Sequence, residues 1–236
     1  MERYATRHGI TYPLLSDSGS RVIHAFGILN THIPEDHDWF GLPYPGTYML
    51  DSEGRVFEKS FFADHCERGS ANDFLQESFC VEDPKRGEVH RRETPHLTAT
   101  AYFASPSVRR SQRTMLTVEV ALAAGVHVYG RPLPEGYIPI ELSVDGGEAL
   151  ELLNVEYPPT AEVTFEAIGE SLPAYEGTIR IKAKCAGTGR ETESARVRVS
   201  LRYQACDSRE CYVPQTMDFD LPVEILAHDW ERIELE

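Results

Sequence analysis

The sequence predicts an α/β segment followed by an all-β sandwich. Three observations lead there. From residue 95 onward, apolar and polar residues alternate in short runs, the period of half-buried strands. Residues 1–80 instead combine two short helical patterns with one hairpin signal. Between them, residues 81–94 carry Lys85, Arg86, Arg91 and Arg92 with no apolar periodicity, so they read as a linker.

Taken in order, Glu2–His8 reads as a helix stopped by Gly9, a normal residue just past a helix end. Tyr12–Asp17 is a short extended piece. Ser18–Phe26 places Val22, Ile23 and Phe26 on one helical face. Thr31–Asp38 holds His32 and His37 among three acids and reads as a solvated loop rather than a metal site. Gly46–Leu50 and Val56–Phe61 flank the turn Asp51-Ser52-Glu53-Gly54, a hairpin. His90 and His96 in and beside the linker are expected to face solvent. Beyond it, strands are predicted at Leu97–Phe103, Met115–Leu122, Tyr137–Val144, Ala161–Phe165, Thr178–Cys185, Ala195–Tyr203 and Met217–Ile225. Proline and glycine turn signals at 132–134, 145–147, 158–159 and 187–189 separate them. Strands at this spacing read as a sandwich over residues 95–228. Residues 229–236 form an acidic tail in which Trp230 is expected to dock on the sandwich.

A net charge of −15 over 236 residues argues against nucleic acid and anionic membrane surfaces, which require basic patches. No apolar run approaches the ~20 residues that span a bilayer, so membrane insertion is not expected. Residues 1–10 are charged and polar, without the apolar core of a signal peptide. As written, the chain reads as cytoplasmic, and as periplasmic if its true N-terminus lies upstream. Five cysteines leave at least one thiol unpaired.

Redox-capable chemistry concentrates at Cys206 and Cys211, in the string Tyr203-Gln204-Ala205-Cys206-Asp207-Ser208-Arg209-Glu210-Cys211-Tyr212-Val213-Pro214. Upstream, Val197, Val199, Leu201 and Tyr203 alternate with Arg196, Arg198, Ser200 and Arg202, so the pair lies where a half-buried strand ends. A bond closing so small a loop contributes only about 2 kcal/mol, against nearly 5 for a loop of ~100 residues. A short accessible disulfide suits thiol exchange better than stapling. A structural bridge, or two free thiols, remains open at this point. Zinc needs two more ligands, and neither a second cysteine pair nor a His-x-x-x-His spacing supplies them. No metal or cofactor is therefore expected.

The string Tyr-Gln-Ala-Cys, four residues, then Cys-Tyr-Val-Pro resembles the cysteine segment of the N-terminal, immunoglobulin-like domain of the thiol:disulfide interchange protein DsbD family. Gly125-Val126-His127-Val128-Tyr129 resembles that family's Gly-x-x-x-Tyr segment. The likeness spans roughly residues 95–228. It implies an immunoglobulin-like sandwich that exchanges disulfides with thiol- or disulfide-bearing proteins, passing electrons from a membrane partner to periplasmic substrates. Carried over by position, Cys211 would be the nucleophile and Cys206 the resolving thiol. Tyr129 would line the site with His127 beside it, and Phe165 and Tyr203 would be further lining residues. Glu162–Gly169, carrying Phe165, is the candidate for the family's mobile cap loop.

Residues 1–80 resemble the C-terminal half of a peroxiredoxin-like protein of the AhpC/TSA type, within the thioredoxin superfamily. The resemblance rests on the two helices, on Pro43-Tyr44-Pro45-Gly46 and on the hairpin that follows. It implies a partial thioredoxin-like fold whose early strands and cysteine-bearing helix would precede residue 1. Pro45 would be the family's cis-proline. Cys66 and Cys80 then read as structural or incidental thiols, Cys80 as a small buried hydrophobe. The incomplete sheet is expected to favour self-association. Two other readings stand beside thiol exchange: a non-enzymatic interaction module with a structural disulfide, and the remnant of a thiol peroxidase whose catalytic cysteine lies upstream of Met1.

Overall fold

A computed structural model describes residues 2–7, 9–64, 67–81, 86–165, 169–188 and 192–227. Cys66 and the tail 229–236 fall outside the described residues. The chain divides into two compact units, residues 1–67 and 68–236.

The first unit comprises α1 (Glu2–Arg7), α2 (Arg21–Ala25) and the antiparallel hairpin of β1 (Gly46–Leu50) and β2 (Val56–Phe61). Gly9 lies past the end of α1 at φ 61°, a left-handed conformation in which a side chain is strained. The Asp17 carboxylate caps α2, accepting from the amides of Val22 and Ile23 at 3.1 and 2.9 Å. At the hairpin turn, Asp51 accepts from the amides of Glu53 and Arg55, both at 2.9 Å. Those bonds hold its carboxyl below the usual range. Little of this unit is buried. Among its described apolar residues only Met49 and Phe62 are, whereas Tyr12, Leu15, Val22, Phe26, Phe40 and Phe57 are exposed.

Pro45 departs from the expectation. Arg131–Pro132 is the cis peptide among the described residues, so Tyr44–Pro45 is trans. The trans isomer is intrinsically lower by about 0.5–1 kcal/mol. Here the Pro45 carbonyl accepts from the Phe62 amide at 3.0 Å, extending the hairpin ladder.

The second unit opens with α3 (Ala71–Glu77), whose Ser70 hydroxyl accepts from the Asn72 amide at 3.2 Å. The strands that follow are β3 (His90–Glu93), β4 (Leu97–Phe103), β5 (Ser107–Arg109), β6 (Arg113–Leu122), β7 (His127–Tyr129), β8 (Glu141–Asp145), β9 (Leu150–Glu156), β10 (Ala161–Phe165), β11 (Glu170–Tyr175), β12 (Thr178–Gly187), β13 (Thr192–Tyr203), β14 (Ala205–Cys206) and β15 (Gln215–Leu226). One sheet runs β3-β4-β6-β12-β9 and a second runs β5-β15-β13-β8. Strict alternation turns Leu97, Ala99, Ala101 and Phe103 of β4 inward, to meet Val197, Val199, Leu201 and Tyr203 of β13 and Phe219, Leu221, Val223 and Ile225 of β15 in one core. This is an immunoglobulin-like β-sandwich.

Several elements differ from the sequence-based expectation. The linker contains β3, which pairs with β4 from His90↔Ala101 to Glu93↔Thr98. It is an edge strand, largely exposed and charged, so it has no apolar alternation to reveal it. Helix α3 belongs to the second unit, so the division falls at residues 67/68 rather than near 80. Strands β9 and β11 were also not expected. Leu153 is exposed on β9, and Pro173 reads as a strand breaker, yet the Pro173 carbonyl accepts from the Gly130 amide at 2.9 Å. In the other direction, the run predicted from Tyr137 becomes a strand only at Glu141, beyond Pro139.

Helix α3 docks through a buried carboxyl. Asp73 accepts from the Met115 amide at 3.0 Å. Burial, with Glu77 nearby, pushes its carboxyl up to about 7, partly opposed by the Met115 bond and Lys184. A carboxyl raised in the folded state binds its proton more tightly there than in the unfolded chain. Stability should therefore fall as pH rises from about 4 through about 7, by on the order of 1–4 kcal/mol. Asp73→Asn, which keeps the acceptor oxygen, should flatten this dependence in urea titrations run across that pH range.

Candidate functional site

A third sheet, β10-β11-β7-β14, carries the cysteine pair. Gly125 makes it possible: at φ 76° it closes a turn in which the Val126 amide donates to the Ala123 carbonyl at 3.0 Å, delivering the chain into β7. Alternation then sorts the side chains. Val128 and Ala205 join the sandwich core. Tyr129 and Cys206 join a separate cluster with Phe165, Leu172 and Ala174. Cys206 stands directly opposite His127 in the β14–β7 register, and Tyr129 opposite Ala174 of β11.

Cys206 and Cys211 form a disulfide, with Cα atoms 4.0 Å apart. The two sulfur-bearing residues differ sharply in environment: Cys206 is 1% exposed, whereas Cys211 is open to solvent. The Asp207 carboxylate organises the loop between them. It accepts from the Arg209 amide at 2.7 Å, the Glu210 amide at 3.0 Å and the Tyr212 hydroxyl at 2.7 Å. These bonds, the Tyr212 hydroxyl first, hold the Asp207 carboxyl down at about 2. The Tyr212 amide donates to the Ala205 carbonyl at 2.8 Å, and its ring packs on His96 with centroids 4.1 Å apart.

Tyr129 reaches the pair directly. Its hydroxyl donates to the Cys211 Sγ at 3.2 Å. Burial first, then Tyr137 and Glu170, raises the Tyr129 phenol, so it keeps its proton and remains a donor. Tyr137 in turn donates to Glu170 at 2.8 Å, and the Tyr129 ring lies 5.2 Å from Tyr137 and 5.0 Å from Phe165. His127 packs edge-on against Phe165 at 5.6 Å and pairs through Nε2 with Glu176, while its Nδ1 is buried without a hydrogen-bond partner.

The structure thus brings Cys206, Cys211, Tyr129, His127 and Phe165 together. Tyr203 stands apart. It lies in the sandwich core, its hydroxyl donating to Gln215 at 2.8 Å, because strand alternation sends it inward. Pro45 lies in the other unit. Of the candidate cap loop, residues 162–165 belong to strand β10 and residues 166–168 fall outside the described residues. His90 and His96 are half-buried rather than solvent-facing.

Of the other thiols, Cys80 is exposed, not buried, and Cys185 is buried in the core, where burial pushes its thiol up to about 12. The described residues include no group of three or more side chains that could hold a metal ion. No helix among them is long and apolar enough to cross a membrane.

Sequence reasoning did not single out Asp207, Tyr212, Tyr137, Glu170 or Glu176. An acid immediately after Cys206 and followed by Ser208 is a legible turn signal. The Tyr137–Glu170 and His127–Glu176 pairs depend on tertiary register and leave no local trace.

The family described as thiol:disulfide interchange protein DsbD, N-terminal, matches residues 94–222. The AhpC/TSA family matches residues 1–59. No curated protein sequence matches the chain. Among solved structures, the N-terminal periplasmic domain of ScsB from Proteus mirabilis is 14% identical with a TM-score of 0.41, covering 60% of this chain and 52% of that one. The N-terminal domain of Neisseria meningitidis DsbD in its reduced form is 19% identical with a TM-score of 0.33, covering 46% of this chain and 77% of that one. The chain therefore spans about half the length of the ScsB domain it matches.

Proposed function

The chain belongs to the family of the N-terminal domain of thiol:disulfide interchange protein DsbD, and from that premise we propose that it exchanges disulfides with protein partners through Cys206 and Cys211. One observation supports this above all: a disulfide with one cysteine exposed and its sulfur hydrogen-bonded, and the other cysteine shielded in an apolar cluster. An exposed sulfur can be reached by a partner's, and a shielded one attacks only from within.

In the reduced protein the Cys211 thiolate attacks one sulfur of a partner's disulfide. The partner's S–S bond breaks and its other sulfur leaves as a thiolate. Cys206 then attacks the Cys211 sulfur of the mixed disulfide. The Cys206–Cys211 bond forms and the second partner thiol is released. Two electrons pass to the partner, and a dithiol donor reloads the pair by the reverse steps. Tyr129 donates its hydroxyl proton toward Cys211, favouring the thiolate over the thiol.

Alkylation of the reduced protein near neutral pH should label Cys211 well before Cys206, as read by mass spectrometry of timed quenches. Tyr129→Phe should slow Cys211 labelling on the order of fivefold, about 1 kcal/mol of thiolate stabilisation. Preferential labelling of Cys206 would reverse the roles.

A further inference from the structure

A buried thiol that must act as the second nucleophile needs its proton removed. Cys206 sits among Tyr129, Phe165, Leu172 and Ala174, surroundings that disfavour a thiolate. The side chain best placed to take the proton is its cross-strand partner. Cys206 and His127 are directly opposed in the β14–β7 ladder, so their side chains leave the same sheet face with Cβ atoms about 4.5–5.5 Å apart. Two further features prepare this imidazole. Glu176 holds Nε2, which keeps the proton on that nitrogen and leaves Nδ1 as the acceptor. In the disulfide state Nδ1 is buried and has no hydrogen-bond partner. An oxidised Cys206 has no proton to offer, and a reduced one does.

We propose that His127 is the acid–base residue for Cys206, with Glu176 as its positioning residue. The inference rests on the exchange reading above and assigns the chemistry of its second step. In the resolving step, Nδ1 takes the Cys206 thiol proton as the sulfur attacks Cys211. The Cys206–Cys211 bond forms, the bond from Cys211 to the partner breaks, and the departing thiolate is protonated from the imidazolium or from water. In the reverse direction an external thiolate opens the disulfide at Cys211, and the imidazolium returns the proton to Cys206. The arrangement of acid, imidazole and nucleophile follows the logic of an oriented base beside its nucleophile. The other titratable groups around His127 are Tyr129 on its own strand and, beyond it, the Tyr137–Glu170 pair. Among the described residues the acidic group on the imidazole nitrogens is Glu176, at Nε2.

The test uses the full chain, reduced, with Cys66 and Cys80 replaced by serine. It is mixed in stopped flow with the coloured aromatic disulfide dithionitrobenzoate. A first equivalent of aromatic thiolate reports attack by Cys211, and a second reports resolution by Cys206. His127→Gln should slow the second phase at least ~10-fold near neutral pH while the first persists. The deficit should shrink at higher pH, where solvent base removes the Cys206 proton. Glu176→Gln should keep the second phase and slow it less than His127→Gln does, since the base remains and only its orientation is loosened. A second phase in His127→Gln with the parental rate and pH profile overturns the proposal. If His127→Gln fails to fold, a second phase at the parental rate in Glu176→Gln overturns it instead, and a slowed second phase beside an unchanged first phase supports it. Absence of the first phase from the parent protein would sink the exchange reading itself, a distinguishable result.

Discussion

A Cys211→Ser protein is expected to lose disulfide exchange altogether, while Cys206→Ser should stop halfway, as a long-lived mixed disulfide with its partner. The two outcomes differ because the sulfurs differ in access. With Cys211 gone, the remaining thiol is buried against Tyr129, Phe165 and Leu172, and a partner's disulfide cannot approach it in line. With Cys206 gone, attack from the exposed position proceeds, and nothing within the site can displace the partner. Non-reducing electrophoresis against a model protein disulfide separates the cases. Exchange persisting in Cys211→Ser at more than a few per cent of the parental rate would show that the roles are misassigned. Equal, complete loss in both variants would point to a bridge that is only structural.

The second large effect concerns the two units. Amides of Gly46–Phe61 should exchange with solvent at least ~10³ times faster than those of Ala195–Tyr203, a difference of about 4 kcal/mol in opening free energy. Strand β13 is paired on both sides, with β15 and β8, and turns Val197, Val199, Leu201 and Tyr203 into the core. Among the described residues the β1–β2 hairpin pairs only with itself, and it buries Met49 alone among its strand residues. A two-stranded hairpin with so little covered is marginal by itself. Hydrogen exchange read by mass spectrometry decides the matter. Equal, strong protection in a monomer would mean that the hairpin is stabilised by contacts beyond its own strands. A protection gain with protein concentration would identify those contacts as a second copy of the chain.

Much of this architecture was legible in the sequence, and the unread part has identifiable causes. Strands β4, β12, β13 and β15 are legible because each turns alternate residues into the core and the others outward, so alternation is forced. The edge strand β3 buries almost nothing and carries charge instead. Strand β11 carries a proline whose missing amide the sheet tolerates, since its carbonyl still serves Gly130. At the site, spacing and family resemblance pointed to the cysteines, Tyr129 and His127. Tyr203 was misplaced because its nearness to Cys206 in sequence says nothing of which face it takes: two residues before β14 it ends the inward row of β13. Glu176 was invisible because it meets His127 only once β11 pairs with β7, through Tyr175↔Val128.

The Asp207 carboxylate has a consequence for the energetics of the redox cycle. It ties two amides of the intervening loop, and the Tyr212 hydroxyl just beyond it, without using either sulfur. The loop's shape is therefore held by a charge that persists at any pH above about 2 and by bonds that involve no sulfur. Breaking the disulfide frees two thiols but not the backbone that presents them, so little chain entropy is gained on reduction or surrendered on closure. On the exchange reading proposed above, electron delivery would then change two sulfur atoms with little change in the surface around them, and one docking face would serve a reductant and an oxidant in turn.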